Sequence, residues 1–206
     1  EVITAKCHSC GACVAECPHD AITQLHYTDA QILSQIRTLL ANKPEEKILA
    51  LRCHWCSYGG ADLAGTSHFE YTANERGIKV MCSARMDADF IYEAYRLGAG
   101  AVLFSGCHPQ DCHYITGQVI GAKRAKRLET IFERLNMTPG RFRVEWISAA
   151  EGDKYARVLN EMQATLDAIP PADLHAEIER LRPDMAKRLT RLPNIPGVQR
   201  AMDHTD

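Results

Sequence analysis

The sequence predicts an α/β protein: a small doubly wound domain with a four-stranded parallel sheet, preceded by a short cysteine-rich segment. Two observations lead to this prediction. Between residues 45 and 168, four apolar runs alternate with helical patterns, which is typical of βαβ units around a parallel sheet. Ahead of that region, four of the nine cysteines fall between Cys7 and Cys17, which sets the first segment apart from the rest of the chain.

The elements follow from local patterns. The predicted strands are the apolar runs at residues 47–51, 78–81, 101–104 and 142–147. A helix over 28–40 begins with a capping box of Thr28 and Gln31. Three further helices are predicted: one that Asp87 caps and Gly98 ends, one over 118–135 with a charged face (Lys123, Arg124, Lys126, Arg127), and one that runs toward Ile169 from a second capping box of Ser148 and Glu151.

Composition shifts divide the chain into three parts. The cysteine-rich segment and its helix cover residues 1–43, and Pro44 follows a predicted break. The α/β domain covers 44–168. The remaining residues, 169–206, contain five prolines, so we expect only short helical turns in an arm that packs on its own domain or on a partner (Pro170, Pro171, Pro183, Pro193, Pro196).

Charge and composition exclude several classes of protein. The chain has 206 residues and a formal net charge of −2, which argues against binding nucleic acid by phosphate neutralisation. No run reaches the roughly 18 apolar residues of a membrane span, and the first residues lack the layout of a signal peptide. We therefore expect a cytoplasmic protein. The chain starts at Glu1 rather than Met, and we expect it to be a piece of a longer polypeptide.

Cysteine chemistry dominates the sequence. Nine cysteines, an odd number in a chain of this size with no export signal, indicate metal binding or redox chemistry rather than a disulfide framework. The spacing Cys7-x2-Cys10-x2-Cys13-x3-Cys17-Pro18 matches the bacterial [4Fe–4S] ferredoxin motif. Three closely spaced thiolates can hold one cluster within a tight loop, while the fourth ligates a neighbouring cluster.

The residues around this motif predict one half of a ferredoxin-like [4Fe–4S] domain. Gly11 lets the backbone approach the cluster, and residues 2–4 and 21–23 are predicted to form two short strands. Upstream sequence would supply the missing ligand of the first cluster and the partner cluster of Cys17. The competing interpretation is a structural zinc site, but zinc ligands come in separated pairs rather than four in one short loop.

Five cysteines follow the predicted strands: Cys53, Cys56, Cys82, Cys107 and Cys112. Because the carboxyl ends of parallel strands meet at one edge of a sheet, these thiols are predicted to converge there. Four thiolates suit a [2Fe–2S] cluster, a [4Fe–4S] cluster or zinc, and one thiol is left over. A thioredoxin-like dithiol at Cys53 and Cys56 is the alternative, but it leaves the other three cysteines unexplained.

Neighbouring side chains have a functional and an ordinary interpretation. Four histidines each follow a cysteine and could donate hydrogen bonds to cluster sulfurs, three aromatic side chains could shield a cluster from water, and two arginines could offset its charge. Packing and solvated surface are the ordinary interpretations. No catalytic set is recognisable, and the glycines after Cys56 lack a phosphate-binding pattern. The residues concerned are His8, His54, His108, His113; Trp55, Tyr58, Tyr114; Arg52, Arg85.

Longer segments carry a family resemblance. CHWCSYGGADLAGTSHFEY, IKVMCSARM, VLFSGCHPQDCHYITG and VEWISAAEGDKYA, over roughly residues 47–165, resemble the delta (iron–sulfur) subunit of methyl-viologen-reducing hydrogenases. The preceding CHSCGACVAECPHDAITQLHYTDAQILSQI resembles the C-terminal ferredoxin segment of the heterodisulfide reductase flavoprotein, HdrA. Together they resemble natural fusions of the two proteins. Residues 170–206 lie outside the resemblance.

The resemblance implies an electron relay in anaerobic, methanogenic metabolism. In that family the delta subunit carries a [2Fe–2S] cluster, which passes electrons from a hydrogenase or a formate dehydrogenase toward FAD of the reductase flavoprotein, where they are bifurcated. The FAD would lie on a partner or on an upstream domain. Carried over to this sequence, four of Cys53, Cys56, Cys82, Cys107 and Cys112 hold the [2Fe–2S] cluster. Cys7, Cys10 and Cys13 hold a [4Fe–4S] cluster, and Cys17 holds its neighbour.

Two other functions stay open at this point. One is a zinc-stabilised interaction module, and the other is a thiol–disulfide oxidoreductase that uses Cys53 and Cys56. Both predict a colourless protein, whereas the relay predicts a brown one that bleaches on reduction.

Overall fold

A four-stranded, all-parallel sheet organises the protein. A computed structural model describes residues 2–190. Its strands are β1 (Ile48–Cys53), β2 (Glu75–Val80), β3 (Ala101–Gly106) and β4 (Phe142–Trp146), in the order β2-β1-β3-β4. The chain first steps from β1 to β2 and then crosses back over β1 to β3. The predicted doubly wound α/β fold is thereby confirmed, and the reversal of direction lies between β1 and β3.

Helices cover both faces of the sheet. Their bounds are α1 (Ala12–Glu16), α2 (Asp29–Leu40), α3 (Ser57–Thr66), α4 (Ala88–Arg96), α5 (Gly117–Arg134), α6 (Gly152–Asp167) and α7 (Pro171–Arg188). Helices α3 and α6 pack together on one face, while α4 and α5 cover the other. Helices α2 and α7 pack on α4 and so extend the second face outward.

The alternation of side chains along the strands explains the two layers. In β1, Ile48 and Ala50 face the layer of α3 and α6, whereas Leu49, Leu51 and Cys53 face the layer of α4 and α5. All five are buried. Strands covered on both faces are almost continuously apolar, which is why their sequence shows runs rather than a period of two.

The local signals for helix ends are mostly confirmed. The Thr28 and Gln31 capping box forms in full, and Asp87 caps α4 by accepting a hydrogen bond from the Asp89 amide at 3.1 Å. The second box forms only by half. The Glu151 carboxylate accepts from the Ser148 amide at 2.7 Å, but the Ser148 hydroxyl accepts from Ala150 instead, so α6 begins one turn later than predicted.

Two expectations about short elements are wrong. Residues 2–4 and 21–23 are not strands, because a strand needs a hydrogen-bonded neighbour and neither segment has one within residues 2–190. Residues Thr4–Lys6 form a 3₁₀ turn instead. Cys17 lies at the end of α1, whereas the motif predicts that a new helical turn starts there.

The C-terminal part also differs from its prediction, since α7 is one continuous helix of 18 residues through Pro183. Leu174, Ile178, Leu181 and Met185 recur on one face and are buried against the domain. This apolar stripe outweighs the backbone hydrogen bond that proline removes. Pro193 and Pro196 lie outside the described residues, and the three-part division of the chain stays a prediction.

A buried ion pair holds α7 in place. The guanidinium of Arg141, 1 % exposed, donates to Glu177 at 2.7 Å and to the carbonyls of Ala99 and Gly100. The Thr138 amide and hydroxyl also donate to Glu177. Because α7 contributes Glu177 and the sheet domain contributes the other partners, the pair ties the helix to the edge of the sheet.

Replacing Glu177 by alanine is expected to lower the free energy of unfolding by about 3 kcal/mol, because it leaves a buried guanidinium short of its counter-charge. Urea unfolding followed by circular dichroism measures this loss. The matched control is Glu179→Ala in the same helix, whose pair with Arg182 is exposed and stabilises by less than about 1 kcal/mol. Equal losses in the two variants would contradict the role of the buried pair.

Candidate metal centres

The five cysteines that follow the strands meet at the carboxyl edge of the sheet. We call them the strand-edge thiols: Cys53, Cys56, Cys82, Cys107 and Cys112. Cys53 is the last residue of β1 and Cys107 directly follows β3, and their Sγ atoms lie 3.6 Å apart. This is the crevice where the direction of the sheet reverses, the place at which open α/β sheets bind ligands.

The start of α5 brings two more of these thiols together. A Cβ atom at position 117 would overlap Sγ of Cys82 and would lie 3.4 Å from Sγ of Cys112. Both thiols therefore lie against the backbone of Gly117, and only glycine fits there. The Gln118 amide donates to Sγ of Cys112 at 3.3 Å, so one of the free N–H groups of the helix start is directed at sulfur.

Ser57 supports the thiols from below. Its hydroxyl accepts from the Cys53 amide at 2.8 Å and donates to the Ser105 carbonyl at 3.0 Å, which links the ends of β1 and β3. The hydroxyl also lies 3.6 Å from Sγ of Cys53. This fully buried serine fixes the separation of the two strands at the crevice.

Burial controls the acidity of the thiols. Burial raises the pKa of Cys82 to about 12, and the nearby Cys112 and Cys10 thiols add to the rise. Hydrogen bonds from Cys107 and then Cys56 lower the pKa of Cys53, and the same contacts raise the pKa of Cys107. The set therefore shares its protons unequally, and it would have to lose them to bind iron, because the thiolate is the ligand form.

Aromatic side chains cover the outer side of the strand-edge thiols. The Trp55 indole donates to the Tyr114 hydroxyl at 2.9 Å and stacks on His113 with 3.9 Å between ring centroids. Trp55 is 44 % exposed, so this group separates the thiols from solvent at a single layer. Tyr58 instead lies under the Lys79 and Arg52 cations, away from this layer.

The other predicted neighbours have partners of their own. Nε2 of His108 lies 2.5 Å from Glu151, and the Ser148 amide, ahead of His108, lowers the pKa of that carboxyl to about 2. Arg52 pairs with Glu75 and donates to the Tyr155 hydroxyl, so its charge is used within the sheet. His8 is exposed, while His54 contacts Trp55 edge-on.

The N-terminal motif forms a loop around Gly11. Gly11 adopts φ +80°, and a Cβ atom there would lie 2.6 Å from Cδ of Arg85. Cys7 and Cys13 line a cavity of about 560 Å³ beside this loop. Sγ of Cys17 accepts from the Ala21 amide at 3.3 Å, outside the lining of that cavity. The geometry separates Cys17 from Cys7 and Cys13, as the motif predicts for a ligand of a second cluster.

The two sets of cysteines are adjacent. Cys10 packs against the buried cluster that contains Cys53, Cys82, Cys107 and Cys112. Helix α1 lies on the Ser83–Arg85 turn that directly follows Cys82. The sequence places the two sets far apart along the chain, and no pattern in it indicates that the N-terminal loop contacts the strand-edge thiols.

Two buried arginines join the segments, and the prediction for one of them is wrong. The charged run of α5 predicts a solvated Arg124. It is buried instead, pairs with Glu16, and donates to the carbonyls of Ala84 at 2.8 Å and Met86 at 3.0 Å. Helical periodicity places a residue on a face, but it does not say that a second segment will cover that face.

The residues present fit iron–sulfur clusters. Thiolates are the usual protein ligands of such clusters, and two glycines leave room where a side chain would fill the space beside the sulfurs, Gly11 and Gly117. All nine cysteines are free thiols. No three His, Cys, Asp or Glu side chains within residues 2–190 are arranged to hold a single metal ion.

Comparison with known proteins agrees with this geometry. The family described as "Methyl-viologen-reducing hydrogenase, delta subunit" matches residues 48–169, and "4Fe-4S binding domain" matches residues 1–23. The chain belongs to the delta-subunit family. The family match covers β1 to α6 with all five strand-edge thiols, and the second match covers Cys7, Cys10, Cys13 and Cys17, so the resemblance found from the sequence is confirmed.

Individual relatives show both parts. The HdrA flavoprotein of the ferredoxin:CoB-CoM heterodisulfide reductase from Methanosarcina mazei is 40 % identical over 161 residues, covering 78 % of this chain and 20 % of the relative. The vhc iron–sulfur (delta-type) subunit of the F420-non-reducing hydrogenase from Methanococcus voltae is 39 % identical over 135 residues, covering 66 % of this chain and 94 % of the relative. The chain thus spans about a fifth of the reductase relative and nearly all of the hydrogenase subunit.

These relatives are parts of oxidoreductases, and the chain is accordingly an electron-transferring component of the hydrogenase and heterodisulfide reductase type with an iron–sulfur site. Relatives of both kinds are subunits, which makes the assembly hetero-oligomeric. None of the helices within residues 2–190 combines the length and the apolar character that crossing a bilayer requires.

Proposed function

We propose that the chain relays electrons from a hydrogenase or formate dehydrogenase subunit to the flavin of an HdrA-type partner or domain. In this proposal electrons enter at the strand-edge thiols and leave through the Cys7–Cys13 loop. The observation that carries it is the contact between these two sites: Cys10 packs against the buried cluster that contains four of the strand-edge thiols. A relay needs its redox centres next to each other, and this fold brings them together.

The ligands are assigned as follows. Four of Cys53, Cys56, Cys82, Cys107 and Cys112 hold a [2Fe–2S] cluster, while Cys7, Cys10 and Cys13 hold a [4Fe–4S] cluster and Cys17 holds its neighbour. The convergence of five thiols on the crevice between β1 and β3 supports the first assignment. The ferredoxin spacing and the glycine with positive φ support the second.

The protein's own groups set the conditions for transfer. The clusters supply the one-electron redox chemistry, and hydrogen bonds to sulfur and burial tune their potentials. The Gln118 amide and the Ser57 hydroxyl are the donors nearest to the strand-edge sulfurs. The Trp55 and Tyr114 layer limits water access while keeping the site close to the surface, where a donor subunit can approach.

The donor is proposed to approach over the aromatic layer. Three large apolar side chains are exposed around it: Trp55, Ile115 at 81 % and Val119 at 49 %. Ile115 also has φ +61°, a strained conformation for a branched side chain, and such strain tends to occur at functional sites. The FAD acceptor and the donor both belong to other parts of the assembly.

The domain boundaries and the location are part of the proposal. Residues 1–43 form the ferredoxin-like half, residues 44–168 the [2Fe–2S] domain and residues 169–206 a C-terminal arm, of which α7 packs on α4. A cytoplasmic location would suit nine free thiols, because reducing compartments preserve them.

Rapid-freeze electron paramagnetic resonance on the anaerobic holoprotein tests the relay. After mixing with hydrogenase and hydrogen, the [2Fe–2S] signal should appear before the [4Fe–4S] signal. A Cys107→Ser variant should leave the [4Fe–4S] site unreduced by hydrogenase yet reducible by dithionite. Unchanged reduction of that site by hydrogenase in a variant lacking the [2Fe–2S] signal would overturn the proposed order.

A further inference from the structure

Arg85 lies between the two sets of thiols. It is the last residue of the Ser83–Arg85 turn that follows Cys82, and its side chain extends to the Gly11 loop, where Cδ and Cγ pack directly on the glycine. Its guanidinium is 5.1 Å from the centre of the Phe90 ring. The residue is fully buried, which is unusual for an arginine.

Only part of its hydrogen-bonding capacity is used within the protein. Nη2 donates to the Tyr27 carbonyl at 2.9 Å and pairs with the Asp29 carboxylate. Nε and Nη1 are buried and have no partner among the described residues. A guanidinium has five N–H groups, so three of them are left unpaired.

Leaving buried donors unpaired is costly, at about 1–3 kcal/mol for each group. The Gln24 carbonyl oxygen, itself unpaired and adjacent to Gly11, is one protein acceptor within this region. With two lone pairs it accepts at most two N–H groups, which still leaves one donor of Arg85 over. The missing acceptor belongs with something that the chain itself does not supply.

We propose that Arg85 is a positioning residue for the [4Fe–4S] site: it presents its fixed charge and its unpaired N–H groups to the cluster held by the Cys7–Cys13 loop and so raises that cluster's reduction potential. This inference rests on the proposed ligand assignment. Reduction adds negative charge, which a buried cation and N–H donors stabilise, particularly in a site of low dielectric. Sulfur atoms of a cluster are the acceptors that Nε and Nη1 lack.

Removal of Arg85 therefore has a definite sign. An Arg85→Met variant keeps the aliphatic packing on Gly11 but removes the charge and the donors, and the negative charge of Asp29 is then no longer offset by this cation. Both changes disfavour the reduced cluster. The expected effect is a fall of about tenfold in the equilibrium constant for reduction, which is about 59 mV for one electron.

Arg124 offers a matched control. It is buried at the same contact and pairs with Glu16, but its nitrogens are not among the unpartnered buried atoms of residues 2–190. An Arg124→Met variant weakens the contact between the segments without removing free donors. It should therefore leave the potential of the [4Fe–4S] site unchanged.

The experiment is a redox titration of the anaerobic holoprotein with its copurifying subunits, followed by electron paramagnetic resonance, in which [4Fe–4S] and [2Fe–2S] signals differ in relaxation. Circular dichroism checks folding. A lower [4Fe–4S] potential in Arg85→Met, with Arg124→Met at the wild-type value, supports the inference. If Arg85→Met does not retain the cluster, Arg85→Lys replaces it, since lysine can pair with Asp29 while lacking the guanidinium donors.

Wild-type potentials in the Arg85 variants that hold the cluster would overturn the inference, as would equal shifts in Arg85→Met and Arg124→Met. Either result leaves the relay intact, because both clusters are then present. Absence of iron and sulfide from the wild-type protein would instead overturn the proposed function, and the role of Arg85 with it.

Discussion

Replacing Cys53 by serine is expected to abolish the [2Fe–2S] signal while the [4Fe–4S] signal persists. Cys53 ends β1, contacts Cys107 across the crevice at 3.6 Å, and receives support from Ser57. Serine keeps the packing but removes a soft ligand that iron in such clusters requires. The measurement is iron and acid-labile sulfide per chain, with electron paramagnetic resonance after dithionite reduction.

The full serine series provides the internal control. Five strand-edge thiols compete for four ligand positions, so four of the five single variants should lose the [2Fe–2S] signal and one should keep it. Loss in all five would show that the fifth thiol is needed for assembly. Retention of the signal in Cys53→Ser and in at least one other variant would contradict a cluster held by four of these thiols.

Replacing Gly11 by alanine is expected to remove the [4Fe–4S] signal. The φ of +80° is strained for any residue with a side chain, and the added Cβ atom would lie 2.6 Å from Cδ of the buried Arg85. The loop would have to move away from the Ser83–Arg85 turn, which separates Cys10 from the strand-edge thiols. Loss of the signal, with the [2Fe–2S] signal retained, is the expected result of electron paramagnetic resonance.

Gly65→Ala is the matched control. Gly65 lies inside α3, and a Cβ atom there meets nothing within 4 Å. Alanine is favoured over glycine in a helix by roughly 0.5–1 kcal/mol, so this variant should keep both signals and gain slightly in stability. A Gly11→Ala protein with an unchanged [4Fe–4S] signal would show that the loop does not need its positive φ.

The sheet could be predicted because its strands are buried on both faces. Continuous apolar runs such as the one in β1, separated by helices with clear caps, leave few other architectures. The convergence of Cys53 and Cys107 also followed from sequence, since the ends of parallel strands meet at one edge. These features depend on local patterns together with a general rule of topology.

Contacts between distant segments could not be predicted in the same way. Arg124 shows this best: its place in a charged run of α5 indicates solvent, yet the N-terminal segment covers it and supplies Glu16. The length of α7 differs from its prediction because its prolines indicate short turns, whereas burial of Leu181 and Met185 stabilises the helix beyond Pro183. In both cases the deciding partner is remote in sequence.

One measurement tests the central claim of two adjacent iron–sulfur sites most directly: iron, zinc and acid-labile sulfide on the anaerobically purified holoprotein, combined with electron paramagnetic resonance after reduction. The account predicts iron with matching sulfide, and two signals that interact magnetically because Cys10 packs beside the strand-edge thiols. Zinc without sulfide would contradict it and would make the chain a metal-stabilised interaction module.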